Sequence, residues 1–149
     1  MIRAANKFDL LYFLDSIHDL NDGHNLWSGT TIDDEYINSL FLTLINGGGI
    51  VLVAENDKEY LGIIAGIITP FLWDPKRYVL QHIVFNTNKE RANYKRVAYE
   101  LIKAYKNAGD ELMKKNRIFN HTFNTSEPMF NVDLAKYDYK LVEQIWIGV

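Results

Sequence analysis

Residues 50 to 86 read IVLVAENDKEYLGIIAGIITPFLWDPKRYVLQHIVFN, three apolar, β-branched runs separated by two short polar breaks. β-branched and aromatic side chains suit the pleated, half-buried surface of a sheet, whereas Asn, Asp and Pro close turns. The stretch therefore predicts a meander of three antiparallel strands over 50–56, 59–73 and 77–86, turning first near Asn56 and Asp57 and again at Asp74, Pro75 and Lys76.

On the C-terminal side, KERANYKRVAYELIKAYKNAGDELM (89–113) begins as a charged, amide-bearing loop and becomes a helix, with Val97, Leu101, Tyr105, Ala108 and Leu112 on one stripe. A helix start exposes unpaired N–H groups and the positive end of the macrodipole. Arg91, Lys95 and Arg96 there make a place for an anion. The same charges equally suit the solvated face of an ordinary helix. IFNHTFN (118–124) then reads as a strand, SEPMFNVDLAKY (126–137) as a short helix with Ser126 as cap and Pro128 at its start, and YKLVEQIWIGV (139–149) as one or two strands.

On the N-terminal side, IRAA (2–5) is a short strand, followed by a helix behind Asn6 with Phe8, Leu11, Leu14 and Ile17 at helical spacing. A polar connection leads to TIDDEYINSLFLTLIN (31–46), a helix capped by Thr31, with Ile37, Leu40, Phe41 and Leu44 as its apolar positions and Gly47 to Gly49 at its end. The order β, α, α, β, β, β, α, β, α, β predicts an α+β fold: a mixed sheet covered by helices on both faces, as one domain over residues 1–149.

Composition narrows the function. The 149 residues are 48% hydrophobic and 23% charged, with nine Tyr and eight Phe, as in a packed globular chain. A formal net charge of −3 argues against broad nucleic-acid binding, which needs a basic surface. With no cysteine, disulfides, thiolate catalysis and Cys-ligated zinc are excluded. Neither a signal-length apolar segment nor a run of ~20 apolar residues is visible, so a soluble, cytoplasmic protein is expected, without membrane association. No His pair lies at metal-ligand spacing with carboxylates, so no metal site is expected.

The element order, with a polar turn between the fourth strand and the long third helix, resembles the GNAT superfamily of acyl-CoA-dependent N-acyltransferases. The family's turn reads Arg or Gln, two residues, Gly, one residue, then Gly or Ala, and its backbone amides grip the CoA pyrophosphate. The matching stretch is NYKRVA, with Asn93 at the first position, Arg96 where Gly is usual and Ala98 at the second small position. Some members carry Arg-Gly-Ser-Arg-Ala-Gly there, and Arg96 aligns with the internal Arg. Tyr94 stiffens the backbone against close phosphate approach, while Arg96 adds a fork suited to phosphate oxygens.

The resemblance implies acetyl-CoA as co-substrate, its phosphates near Arg91, Asn93, Tyr94, Lys95, Arg96, Val97 and Ala98, and an arm contact at Asn124. It implies a backbone N–H among Ile83, Val84 and Phe85 that polarises the thioester carbonyl. The family's strand Glu, a general base, is replaced by Gln81 and His82. An imidazole titrates near neutral pH and suits the base, although a lone strand His is also a structural residue. The family's general acid falls at Leu134, with Tyr137 or Tyr139 as substitutes or as core packing, and the Gly-aromatic pair falls at Asp138 and Tyr139.

The implied reaction is acetyl transfer to a primary amine on a small molecule or a protein; the alternative is a binding or assembly protein whose site has decayed. Asp22, Asp33, Asp34 and Glu35 either attract a cationic acceptor or stabilise a helix start. EQIWIGV (143–149) offers an apolar edge for a homodimer.

Overall fold

A computed structural model describes residues 1–22, 30–57, 59–124 and 133–142. Strand β1 (Ile2–Ala4) leads through a 3₁₀ turn (Lys7–Asp9) into α1 (Leu10–Asp22), and α2 spans Asp34–Thr43. Strands β2 (Gly49–Asn56), β3 (Glu59–Phe71) and β4 (Asp74–Thr87) form the meander, followed by α3 (Tyr94–Lys114), the short β5 (Asn120–His121) and a 3₁₀ turn (Leu134–Tyr137). The sheet order is β1-β2-β3-β4-β5, antiparallel throughout except for the parallel pair of β4 with β5.

Helices cover both faces, as the strand pattern predicts. Val51, Val53, Ile63, Ala65 and Val84 face α1 and α2, where they join Phe13, Phe41 and Leu44. Ala54, Ile64, Leu80 and Phe85 face α3 and join Val97, Ala98, Leu101, Ile102 and Tyr105. Period-2 alternation along β2 and β3 sends neighbouring residues to opposite cores. Strand β4 breaks the alternation: Val84 pairs with Ala65 but His82 pairs with Gly66, so Ile83 is an extra, bulged residue. Ile83 and Val84 therefore both pack on the α1/α2 side, and Phe85 returns to the α3 side.

Several local expectations are corrected. The α2 cap is Asp33, whose side chain accepts from the Tyr36 N–H at 3.0 Å, because Thr31 lies two residues too early for that bond. Asn6 does cap its turn, reciprocally with Asp9. The α1 stripe is rotated, however: Phe13 and Ser16 are buried while Phe8 and Leu11 are exposed, because the chain enters through a 3₁₀ turn that shifts the helical phase. The second hairpin turns at Leu72 and Trp73, and Pro75 sits in β4 beside the register shift between Pro70 and Phe71, where a missing N–H costs no ladder bond. Gly47, at φ +101, makes the turn out of α2 that a side chain would strain.

The helix expected from Ser126 and Pro128 lies outside the described residues except for the turn at Leu134–Tyr137, and Glu143 to Val149 lie wholly outside them. Among the described residues, no helix is long and apolar enough to cross a membrane, and no group of three or more potential ligands is placed to hold a metal.

Candidate functional site

The seam between β4 and β5 opens almost as soon as it forms. Val79 pairs with Asn120 and Leu80 with His121, and the Thr122 N–H donates to the Leu80 carbonyl at 2.9 Å. A regular parallel ladder would next join His82 to Thr122 and Asn124 through the backbone. Side chains take those two groups instead. The Tyr105 hydroxyl donates to the Thr122 carbonyl at 3.1 Å, and the Asn124 N–H donates to Nδ1 of His82 at 3.4 Å. With the Thr122 carbonyl and the Asn124 N–H taken up by side chains, the strands part beside the bulge at Ile83.

His82 occupies the crotch of this opening and is 7% exposed. Its ring stacks on Phe123 at 4.4 Å and meets Tyr105 and Phe85 edge-on. Burial pushes its pKa down to about 4, and the nearby Val84 carbonyl offsets only part of that. Nε2 is buried and has no hydrogen-bond partner among the described residues. Gln81, its neighbour, points to the exposed side.

At the C-terminal end of β4, a turn over 88–93 delivers the chain to α3. Asn88 organises it: its N–H donates to the Leu61 carbonyl, its side chain accepts from the Glu90 N–H, and its carbonyl accepts from the Arg91 N–H. The Arg91 carbonyl accepts from the Tyr94 N–H and the Asn93 carbonyl from the Val97 N–H. Asn93 makes no side-chain cap. The first-turn amides of Lys95 and Arg96 are of the kind that lack intrahelical partners.

Of the cations gathered there, Arg91 is ion-paired with Glu59, and Arg96 reaches Glu100 at 3.2 Å across one helical turn. Arg96 stays 76% exposed, and the Lys95 ammonium lies over the Tyr94 ring. Such exposed pairs are weak and exchangeable. Val97 and Ala98 instead turn inward to the core, so the small residue at 98 is needed for helix-to-sheet packing. A cavity of about 170 Å³ lies on the β1–β2 side of the α3 N-terminus, lined by Met1, Ala54, Asn56, Leu61, Asn93, Arg96, Val97 and Glu100. It lies away from the β4–β5 opening.

The tyrosines near the C-terminus go elsewhere. Tyr137 stacks on Tyr99 of α3, and burial raises its pKa. Tyr139 meets His121: its hydroxyl lies 2.9 Å from Nδ1, while Nε2 lies 2.9 Å from Asp110, which also binds Lys106 at 2.7 Å. Sequence reasoning missed this chain, although Gly109 inside α3 was a signal, since a Cβ there would sit 2.7 Å from the His121 ring. It also missed Phe123, which seats His82, and Glu59, which holds Arg91. Asp33 and Glu35 lie at the start of α2, and Asp34 there reaches His18 at 2.9 Å.

Neither a protein-family model nor a curated protein matches the chain. Solved structures do. The chain superposes on a predicted acetyltransferase from Clostridium acetobutylicum, solved with acetyl-CoA, at TM-score 0.62 and 13% identity, covering 93% of this chain and 99% of that one. A ribosomal-protein-alanine N-acetyltransferase from Brucella melitensis biovar Abortus 2308 gives 0.61 at 12% identity, over 100% and 98% of the two chains. An aminoglycoside acetyltransferase from an uncultured soil metagenomic sample, in complex with sisomicin, gives 0.60 at 14% identity, over 100% and 95%. The chain thus has the GNAT acyl-CoA N-acyltransferase fold, in a divergent sequence.

Proposed function

We propose that the chain is a one-domain, cytoplasmic N-acetyltransferase that passes the acetyl group of acetyl-CoA to a primary amine. The observation that carries the reading is the parting of β4 from β5 at a bulge, with a basic helix N-terminus at the end of the same strand. A thioester arm laid in the opening would meet a backbone N–H among Ile83, Val84 and Phe85, and its diphosphate the turn from Arg91 to Ala98. The exposed, weakly paired Arg96 is free to exchange Glu100 for phosphate oxygens.

The chemistry asks little else. The amine lone pair adds to the thioester carbon, the C–S bond breaks as the carbonyl re-forms, and the ammonium proton leaves to water or to the departing thiolate. Holding the two reactants together supplies much of the acceleration. Acceptors of the fold neighbours include an aminoglycoside and a ribosomal protein. They support an amine acceptor, either a small molecule or a protein, without choosing between them.

The stacking of His82 on Phe123, which fills the apex of the opening, favours a second reading: a fold retained for binding or assembly, as a homodimer or with another protein. Calorimetric titration with acetyl-CoA and with CoA at two salt concentrations separates the two. Micromolar, salt-sensitive binding that falls at least about 10-fold in Arg96→Glu supports the enzyme, since one phosphate contact is lost and a repulsion gained. No heat of binding from folded wild-type protein removes that reading.

A further inference from the structure

The unused atom at the centre of the site is Nε2 of His82. It is buried and has no acceptor among the described residues, although a buried polar group is nearly always paired. Nδ1 accepts the Asn124 N–H, so in the neutral ring the proton must sit on Nε2. Burial, which drives the pKa down to about 4, keeps the ring neutral. The neighbouring rings of Phe85 and Phe123 offer no acceptor, the Tyr105 hydroxyl is spent on Thr122, and the Val84 carbonyl, though near the ring, makes no hydrogen bond with Nε2.

The imidazole is therefore a pre-oriented donor, not a group waiting for a proton. Its orientation is set at both ends, by the stack on Phe123 and by the Asn124 amide on the opposite limb of the opening. Because Asn124 and His82 belong to the two parting limbs, the donor sits where the opening begins.

We propose that His82 donates its Nε2–H to the carbonyl oxygen of the acetyl thioester, as a second oxyanion donor beside the β4 backbone. The proposal rests on the acetyltransferase reading. As the amine forms its C–N bond, the carbonyl π electrons move onto oxygen, and Nε2–H holds that negative charge. When they return, the C–S bond breaks and CoA departs as thiolate. No proton leaves His82 at any stage, and the ammonium proton goes to water or thiolate. Nε2 is buried in the free protein, so the thioester must part the aromatic nest to reach it, but the ring that donates is already oriented.

The test needs no acceptor. Imidazole ¹⁵N spectra of the free wild-type protein are expected to show the neutral Nε2–H tautomer for His82, and acetyl-CoA is expected to move its Hε2 resonance downfield while CoA does not. By calorimetry, wild type should favour acetyl-CoA over CoA about 5-fold, the scale of one hydrogen bond to a neutral carbonyl. His82→Phe should abolish that preference, and His82→Gln, which keeps an N–H, should retain part of it. Acetyl-CoA binding with an unmoved Hε2 signal, an Nδ1–H tautomer, or a preference surviving in His82→Phe would overturn the donor role and leave the acetyltransferase reading standing. No acetyl-CoA binding by folded wild type would overturn both.

Discussion

Two buried polar groups in this chain are treated in opposite ways. Asp9, 1% exposed, is fully served: Arg3 grips both its oxygens at 2.8 and 3.0 Å, the Tyr60 hydroxyl and the Asn6 N–H donate to it, and Arg3 also clamps Glu55. His82 has one long bond and one empty donor. The first arrangement ties β1, β2, β3 and the start of α1 into one corner, with Tyr12 stacked on Tyr60 at 4.1 Å. The second stands where two strands separate. The first joins several elements through paired charge, whereas the second leaves a donor open at the edge of the parting strands.

Asp9→Ala should break the contrast most severely. It leaves a part-buried guanidinium and a tyrosine hydroxyl without their acceptor, and a loss of about 3 kcal/mol is expected by urea denaturation. Acid should reach the same corner more gently. Burial alone would raise the Asp9 carboxyl, but the Arg3, Tyr60 and Asn6 hydrogen bonds outweigh it and hold the pKa at about 2, below its ordinary value of 3.8. A depressed carboxylate stabilises the fold above its unfolded pKa. The contribution, about 2 kcal/mol, should thus be present at neutral pH and disappear as pH falls from about 4 through 2, visible as a drop in Tm that Asp9→Ala does not share.

His82→Phe sharpens the comparison from the other side. It replaces an under-bonded ring by an apolar ring in an aromatic nest, and the exposed Asn124 amide can turn to water. Stability should change by no more than about 1 kcal/mol in either direction. The smallest effect should be at the surface pair of Arg91 and Glu59, where Glu59→Gln should alter stability by less than about 0.5 kcal/mol, since both side chains are about half exposed. A large effect there would mean that the 88–93 turn depends on the pair more than its backbone bonds imply.

Much of this was legible in the sequence because it is local. β-branched runs specify β2, β3 and β4, and helical spacing specifies α3 with Val97, Leu101 and Tyr105 inward. The clustering of Arg91, Lys95 and Arg96 at the start of α3 follows from chain order alone. The misses in local structure are phase and position errors of one turn or less. Asp33 caps where Thr31 was expected, and the hairpin closes at Leu72 and Trp73 instead of at Asp74 to Lys76. Several residues within reach could supply a cap or a turn, and packing selects among them.

What the chain determines by itself is the order and amphipathic character of its elements, and with them a mixed sheet between two helical layers. Periodicity is written residue by residue, and burying both faces of the strands requires those layers. What only the tertiary structure decided is the geometry of the candidate site. The bulge at Ile83 reverses alternation in mid-strand, and His82 meets Asn124 and Phe123 across some 40 positions of sequence. Nδ1 of its ring meets an amide on the other limb. Those contacts come from how β4, β5 and α3 close on one another, and no local pattern encodes a meeting of residues so far apart in the chain.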